Sequence, residues 1–166
     1  MQLYDIVFSP TDGTQKVSAL LTNTLKGEVT PIDLTDSKQD FRAVQLTSDD
    51  VAVIAVPSCG GRVPAVAIDR LGSITGHGAR AILVCVYGNR AYEDTLIELE
   101  DAAKQAGFQI IAAVAAIAEH SIARQFAANR PDTQDAQQLS AFAKQIQDKL
   151  SLGNTAEPSI PGNRPY

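Results

Sequence analysis

Three hydroxyls, Ser9, Thr11 and Thr14, fall within the six residues Ser9-Pro10-Thr11-Asp12-Gly13-Thr14, between an apolar run and an amphipathic one. A strand that breaks into a polar turn and then opens a helix presents unpaired N–H groups at the positive end of the helix dipole, which suits an anion. The hydroxyls add donors for phosphate oxygens, Pro10 stiffens the turn, and Gly13 admits positive φ. The chemistry this spells is phosphate binding, although a plain strand-to-helix turn with ordinary capping reads the same way. Two more loops carry chemistry. Pro57-Ser58-Cys59-Gly60-Gly61-Arg62-Val63-Pro64 has two glycines that let backbone approach a ligand closely, and Gly88-Asn89-Arg90-Ala91-Tyr92 joins a glycine to a cation and an aromatic ring. No nucleophile and base stand at a spacing suited to hydrolysis. Cys59 and Cys85 have no metal spacing, and both are expected to be free thiols.

The elements that must position these loops alternate in type. Leu3 to Phe8 is an apolar run expected to be a strand buried on both faces, and Val17, Leu20, Leu21 and Leu25 place a helix over Thr14 to Lys26, stopped by Gly27. Glu28 to Asp33 is a weaker strand, sent to an edge by Pro31. Thr35 to Leu46 is hard to read and is given one short helix. Val51 to Val56 is an uninterrupted strand, a short helix follows to Leu71, and Ala81 to Tyr87 is the strongest strand signal. A helix over Glu93 to Ala106 ends at Gly107, Gln109 to Ile117 is the fifth strand, and His120-Ser121 opens a short helix ending near Asn129. Leu139, Phe142, Ala143, Ile146 and Leu150 stripe a last helix. Five strands alternating with helices predict parallel pairing through right-handed crossovers, an open three-layer α/β/α sandwich that binds ligands at the C-terminal ends of its strands. Residues 1–150 form that domain, and 151–166, with three prolines after Leu150 and little apolar content, read as a tail or linker.

Composition narrows the function classes. A chain of 166 residues suits one domain with a sizeable core. The net charge of -5, without a Lys/Arg cluster, argues against nucleic acid and for a basic docking partner. No apolar run approaches the roughly 20 residues of a membrane span, and no basic leader precedes a cleavage site, so the expectation is a cytoplasmic protein.

The loops resemble those of flavodoxin-like proteins, the first in the outline of a Ser/Thr-x-Thr-Gly-x-Thr phosphate loop. Gly60-Gly61-Arg62-Val63-Pro64, Val86-Tyr87-Gly88-Asn89-Arg90-Ala91-Tyr92-Glu93-Asp94, Ala118-Glu119-His120-Ser121 and Pro161-Gly162-Asn163-Arg164-Pro165-Tyr166 resemble, more narrowly, a family of anaerobe proteins in which a flavodoxin-like domain precedes a ferredoxin-type iron-sulfur domain. The Cys-rich runs of that second domain are absent, so the chain either stops at the linker or works alone. The resemblance implies a five-stranded sheet of order 2-1-3-4-5 and an FMN-binding flavoprotein active in electron transport as an oxidoreductase module. Its partner would be a redox protein, ferredoxin-type or a reductase. The family pattern has Gly at Asp12 and an aromatic at Cys59. An ionised Asp12 at about 5 Å would oppose each unit of phosphate charge by roughly 3 kcal/mol at an effective dielectric near 20. A charge-assisted hydrogen bond returns about 1.5 to 3 kcal/mol. Asp12 could also cap the first helix through a capping-box spacing with Gln15.

On the flavin reading, Ser9, Thr11, Asp12, Gly13 and Thr14 surround the phosphate. The isoalloxazine ring would lie between the Ser58 to Val63 loop and the Tyr87 to Tyr92 loop, with Pro57, Ser58, Cys59, Gly60, Gly61, Arg62, Tyr87, Gly88, Asn89, Arg90, Tyr92 and Asp94 as the cofactor-binding candidates there. Backbone at Gly60 and Gly61 would meet flavin N5, with Tyr87 or Tyr92 stacking. The acidic surface would lower the potential of a reduced anionic flavin. Plainer roles stay open: Tyr87 as a core residue, Arg62 and Arg90 in surface ion pairs, His120 at a rim, and Cys59 as a small loop residue whose thiol would be redox-active if its pKa were depressed. Two other functions also stay open. One is a self-contained reductase of quinones or nitro compounds using a nicotinamide cofactor, often built at a homodimer interface. The other is a module that has lost flavin and holds Asp12 as its own anion.

Overall fold

The computed structural model describes residues 1–166. Its elements are β1 (Leu3–Val7), α1 (Gly13–Thr22), β2 (Val29–Asp33), β3 (Val51–Pro57), α2 (Ala65–Leu71), β4 (Arg80–Tyr87), α3 (Thr95–Gln105), β5 (Gln109–Ile117) and α4 (Thr133–Ser151). The short helix expected between Thr35 and Leu46 is a single 3-10 turn, Phe41–Ala43. All strand pairs are parallel and the sheet order is β2-β1-β3-β4-β5. Pro31 sits on the edge strand, where its missing N–H removes no central hydrogen bond.

The central strands serve two cores at once, which is why they read as unbroken apolar runs. Ala52, Ile54 and Val56 of β3 and Ala81, Leu83 and Cys85 of β4 join Ala67, Leu71, Leu96 and Leu99 from α2 and α3. Val51, Val53, Ala55, Ile82, Val84 and Val86 point the other way, to Val17 and Leu21 of α1 and Leu139, Ala143 and Ile146 of α4. Truncating Ile54 in the one core or Ile82 in the other to alanine is expected to cost about 2 to 5 kcal/mol.

Two polar features tie the layers together. Asp5, buried in β1, accepts hydrogen bonds from the Ser18 hydroxyl and from Gln15 Nε2, fastening α1 to the strand before it. Burial pushes its carboxyl above the usual range, against those two bonds. At the outer edge, Ile111 is the extra residue of a bulge against Ala81 and Ile82, and its carbonyl accepts from Lys149 Nζ at 2.6 Å. A bulge and a lysine blunt an otherwise apolar edge strand.

Beyond Ser151 there is no helix or strand, yet the segment lies against the body of the protein. Ile160 packs on the α2/α3 core, Asn163 N donates to Asp94, and Arg164 pairs with Glu100 and Asp101. Tyr166 lies under the Arg62 guanidinium at 4.7 Å and donates to Asp101. The chain thus passes from α4 on one face of the sheet to α3 on the other.

Candidate functional site at the C-terminal edge of the sheet

Four loops begin at one level because the ladder extends a residue beyond three of the strands: Phe8 N donates to Ala55 O, Ser58 N to Val86 O, and Ala118 N to Tyr87 O. They enclose a cavity of about 570 Å³.

The loop after β1 differs from expectation in its details. Asp12 takes the left-handed conformation at φ 66, and Gly13 does not need it. A short polar side chain such as that of Asp tolerates this region better than most, so Asp can stand where glycine was expected to be required. Gly13 is needed for space: a Cβ there would lie 3.2 Å from Cβ of Ala118. The expected Asp12 cap does not form, since its side chain makes no capping hydrogen bond. Ser9 Oγ instead accepts from Gln15 N at 3.0 Å. The amides of Thr11, Asp12, Gly13 and Thr14 have no acceptor in the protein. Thr14 is only 4% exposed and lines the cavity with Thr11 and Gly13, whereas Ser9 and Asp12 do not.

The loop after β3 closes through Cys59 and Arg62, each donating its amide to the other's carbonyl, with Gly60 at φ 60 and Gly61 at φ 77. Two consecutive positive φ values make a turn only glycine enters freely. Pro57, Ser58, Cys59, Gly60 and Gly61 line the cavity. Arg62 is turned away, its guanidinium making two 2.8 Å bonds to Glu98 and stacking on Tyr166. Burial pushes the Cys59 thiol up, which opposes the depressed pKa a redox-active thiolate needs.

From the loop after β4, Tyr87, Gly88, Asn89 and Arg90 line the cavity. Tyr92 does not; it sits edge-on to Tyr87, centroids 5.2 Å apart, and braces that ring. Asp94 precedes α3 and accepts from Asn163 N. Arg90 pairs with Glu93 at 2.7 Å.

The fourth wall, after β5, corrects the expected short helix: Ser121 to Ala123 bend, Arg124 to Asn129 form successive turns, and there is no helix. Glu119 N donates to Arg130 O at 3.0 Å, closing the loop at its neck, and Ala127 and Asn129 are left-handed. Such a closed surface loop is an Ω-type excursion. The Glu119 carboxylate spans its interior to Asn129 N and Arg124, and those bonds hold it below the usual range. Ala118, Glu119, His120, Ser121, Ala123 and Phe126 line the cavity. Ala118 to Ser121 belong to one of the runs that carry the resemblance in the sequence; the 57% exposed Phe126 offers a further signal, a lone aromatic in a polar stretch.

No cluster of His, Cys, Asp or Glu could hold a metal ion, and no helix is long and apolar enough to cross a membrane. No family model matches the chain, and no curated protein does. Solved structures do. A flavodoxin of Streptococcus pneumoniae aligns over 89% of this chain and 99% of its own, with TM-score 0.58 and 16% identity. A Fusobacterium nucleatum flavodoxin bound to flavin mononucleotide aligns over 90% and 99%, with TM-score 0.57 and 13% identity. A flavodiiron core from Synechocystis aligns over 92% of this chain but 36% of its own, with TM-score 0.61 and 14% identity. With its strand order and crossovers, the chain has the flavodoxin-like α/β fold.

Proposed function

We propose that the cavity binds FMN and that the protein carries electrons, one or two at a time, to or from a redox protein of the ferredoxin or reductase class. The observation that carries this reading is that Thr11, Gly13 and Thr14, whose amides are unpaired, line the same cavity as Tyr87 and the Gly60-Gly61 turn. A volume of about 570 Å³ lies within the ordinary range for cofactor sites, roughly 300 to 1,000 Å³. Asp12 is exposed and outside the cavity lining, which supports a phosphate site free of a built-in carboxylate.

The amides of Thr11 to Thr14 with the Thr11 and Thr14 hydroxyls hold the phosphate, and Tyr87, braced by Tyr92, offers its face to the ring. The turn Cys59–Arg62 would present backbone to the ring's other side through Gly60, where a Cβ would meet nothing within 4 Å, whereas the space beside Gly61 is taken by Glu93. A bound flavin supplies reversible one- and two-electron chemistry that no side chain here can. The net charge of -5 favours a basic partner, including one that carries an iron-sulfur cluster, in a reducing cytoplasm where both cysteines stay thiols.

Titrating FMN against the protein and against Asp12→Gly, following flavin fluorescence, tests the reading. Both proteins are expected to quench the flavin with similar affinity. Binding by Asp12→Gly alone would show that the carboxylate fills the phosphate site, and binding by neither would end the flavin reading.

A further inference from the structure

His120 is held more tightly than a rim histidine needs to be. Its Nδ1 accepts from the amides of Ile122 at 3.2 Å and Ala123 at 3.0 Å, and its own amide donates to Phe126 O at 3.1 Å. The ring rests on Gly88 so closely that a Cβ there would lie 2.5 Å from His120 Cδ2. A ring nitrogen that accepts two hydrogen bonds carries no proton, so the neutral imidazole bears its hydrogen on Nε2. Nε2 has no partner in the protein, and the ring lines the cavity. The result is a neutral donor whose tautomer and orientation are both fixed before any ligand arrives.

The loop also fixes which end of the cavity the donor serves. Ala118 abuts Gly13 beside the unpaired amides, and two residues later His120 abuts Gly88, next to Tyr87. The chain has by then left the phosphate end for the aromatic end. We infer that His120 donates from Nε2 to an acceptor atom of the flavin ring system and thereby favours the reduced cofactor; this rests on the FMN reading above. Reduction makes the ring's acceptor atoms more electron-rich, and a hydrogen bond to a charged acceptor is stronger than one to a neutral acceptor.

Two substitutions separate the donor from the loop it caps. His120→Asn keeps an oxygen near the place of Nδ1 for the Ile122 and Ala123 amides but removes the donor at Nε2. His120→Gln keeps a donor near Nε2 and gives up the cap. Affinities for oxidised and reduced FMN and for riboflavin, which lacks the phosphate, are measured for all three proteins, with urea midpoints to report folding. His120→Asn is expected to weaken reduced FMN and reduced riboflavin about tenfold, and the oxidised forms less. Each tenfold change in the ratio of the two affinities lowers the two-electron potential by about 30 mV. His120→Gln is expected to recover most of the loss. Unchanged affinities in His120→Asn, or equal losses in Asn and Gln, would overturn the inference by leaving His120 only a loop cap. A loss for FMN without one for riboflavin would overturn the ring assignment and give the donor to the phosphate. If the unsubstituted protein binds neither flavin, the functional reading falls first and this inference with it.

Discussion

The two ends of the sheet are finished differently. At the N-terminal end the loops pair mostly with one another: the Asp50 carboxylate accepts from Gln2 N, Thr47 N and Thr47 Oγ1, Gly76 N donates to Ala106 O, and Gly78 N to Gly107 O, while Arg80 Nε is buried there without a partner. Burial alone would raise Asp50, but the three accepted bonds outweigh it and hold the carboxyl below its usual range. At the C-terminal end, runs of loop amides have no acceptor. Five of the six non-glycine residues at positive φ, namely Asp12, Asn89, Glu93, Ala127 and Asn129, also gather there. Buried backbone groups in native proteins are nearly all paired, and the amides of exposed Thr11 and Asp12 instead stand open to solvent, free to pair with water or with a ligand's acceptors.

The comparison can be broken most sharply at Gly76. A Cβ there would lie 2.8 Å from the Gly107 carbonyl carbon, and backbone cannot swing aside as a side chain can. Gly76→Ala is expected to cost about 2 to 3 kcal/mol in urea denaturation and to leave per-molecule flavin affinity unchanged. A cost below about 0.5 kcal/mol would mean that the N-terminal end is as yielding as the other.

A smaller effect is expected where the fourth wall is anchored. Arg130, whose carbonyl closes the loop after β5, bonds both Asp135 oxygens, and this holds the Asp135 carboxyl down to about 2. A depressed carboxylate lends stability that is complete above its unfolded value near 3.8 and is lost as pH falls through the folded one. Stability should therefore drop between about pH 4 and 2. Asp135→Asn should flatten that drop and cost about 1 to 2 kcal/mol at neutral pH. An unchanged pH profile in the variant would show that the ion pair does not carry the anchor.

The smallest change expected is a gain. Ala127 is left-handed at φ 52 in the cavity loop, so Ala127→Gly should raise the denaturation free energy by about 0.5 to 1 kcal/mol. A loss would mean that the strain attributed to this end is already relieved.

What the sequence displays and what it hides follow one physical line. Runs such as Val51 to Val56, the proline in β2 and the Gly60-Gly61 pair are local signals, and each element stands within a few residues of its expected place. What is hidden depends on partners far along the chain. Nothing near Gly13 announces that Ala118 will press on it, so its smallness reads as a need for positive φ when the need is for space. His120 does offer the cap that a helix would use, and locally a helix is the sound expectation. The distant closure of Glu119 on Arg130 turns the chain back before a helix can form. Likewise, Arg62 looks available in the sequence, yet Glu98 and Tyr166 claim it across long separations.

The segment that crosses from α4 to α3 is held mostly by ion pairs at the surface. Arg164 reaches Asp101 at 2.7 Å and Lys104 reaches Glu157 at 2.9 Å, with side chains that remain partly in water, while Arg164 also reaches the buried Glu100 at 2.8 Å. The exposed pairs contribute about 0 to 1 kcal/mol each, whereas a buried carboxylate is costly to leave without its partner. Tethered a few residues from the end of α4, the segment meets its acidic groove at a local concentration on the order of millimolar, and closure becomes an intramolecular event. Its grip is then set by the length of chain between the anchor and the groove as much as by the contacts, and by salt through the screening of those pairs.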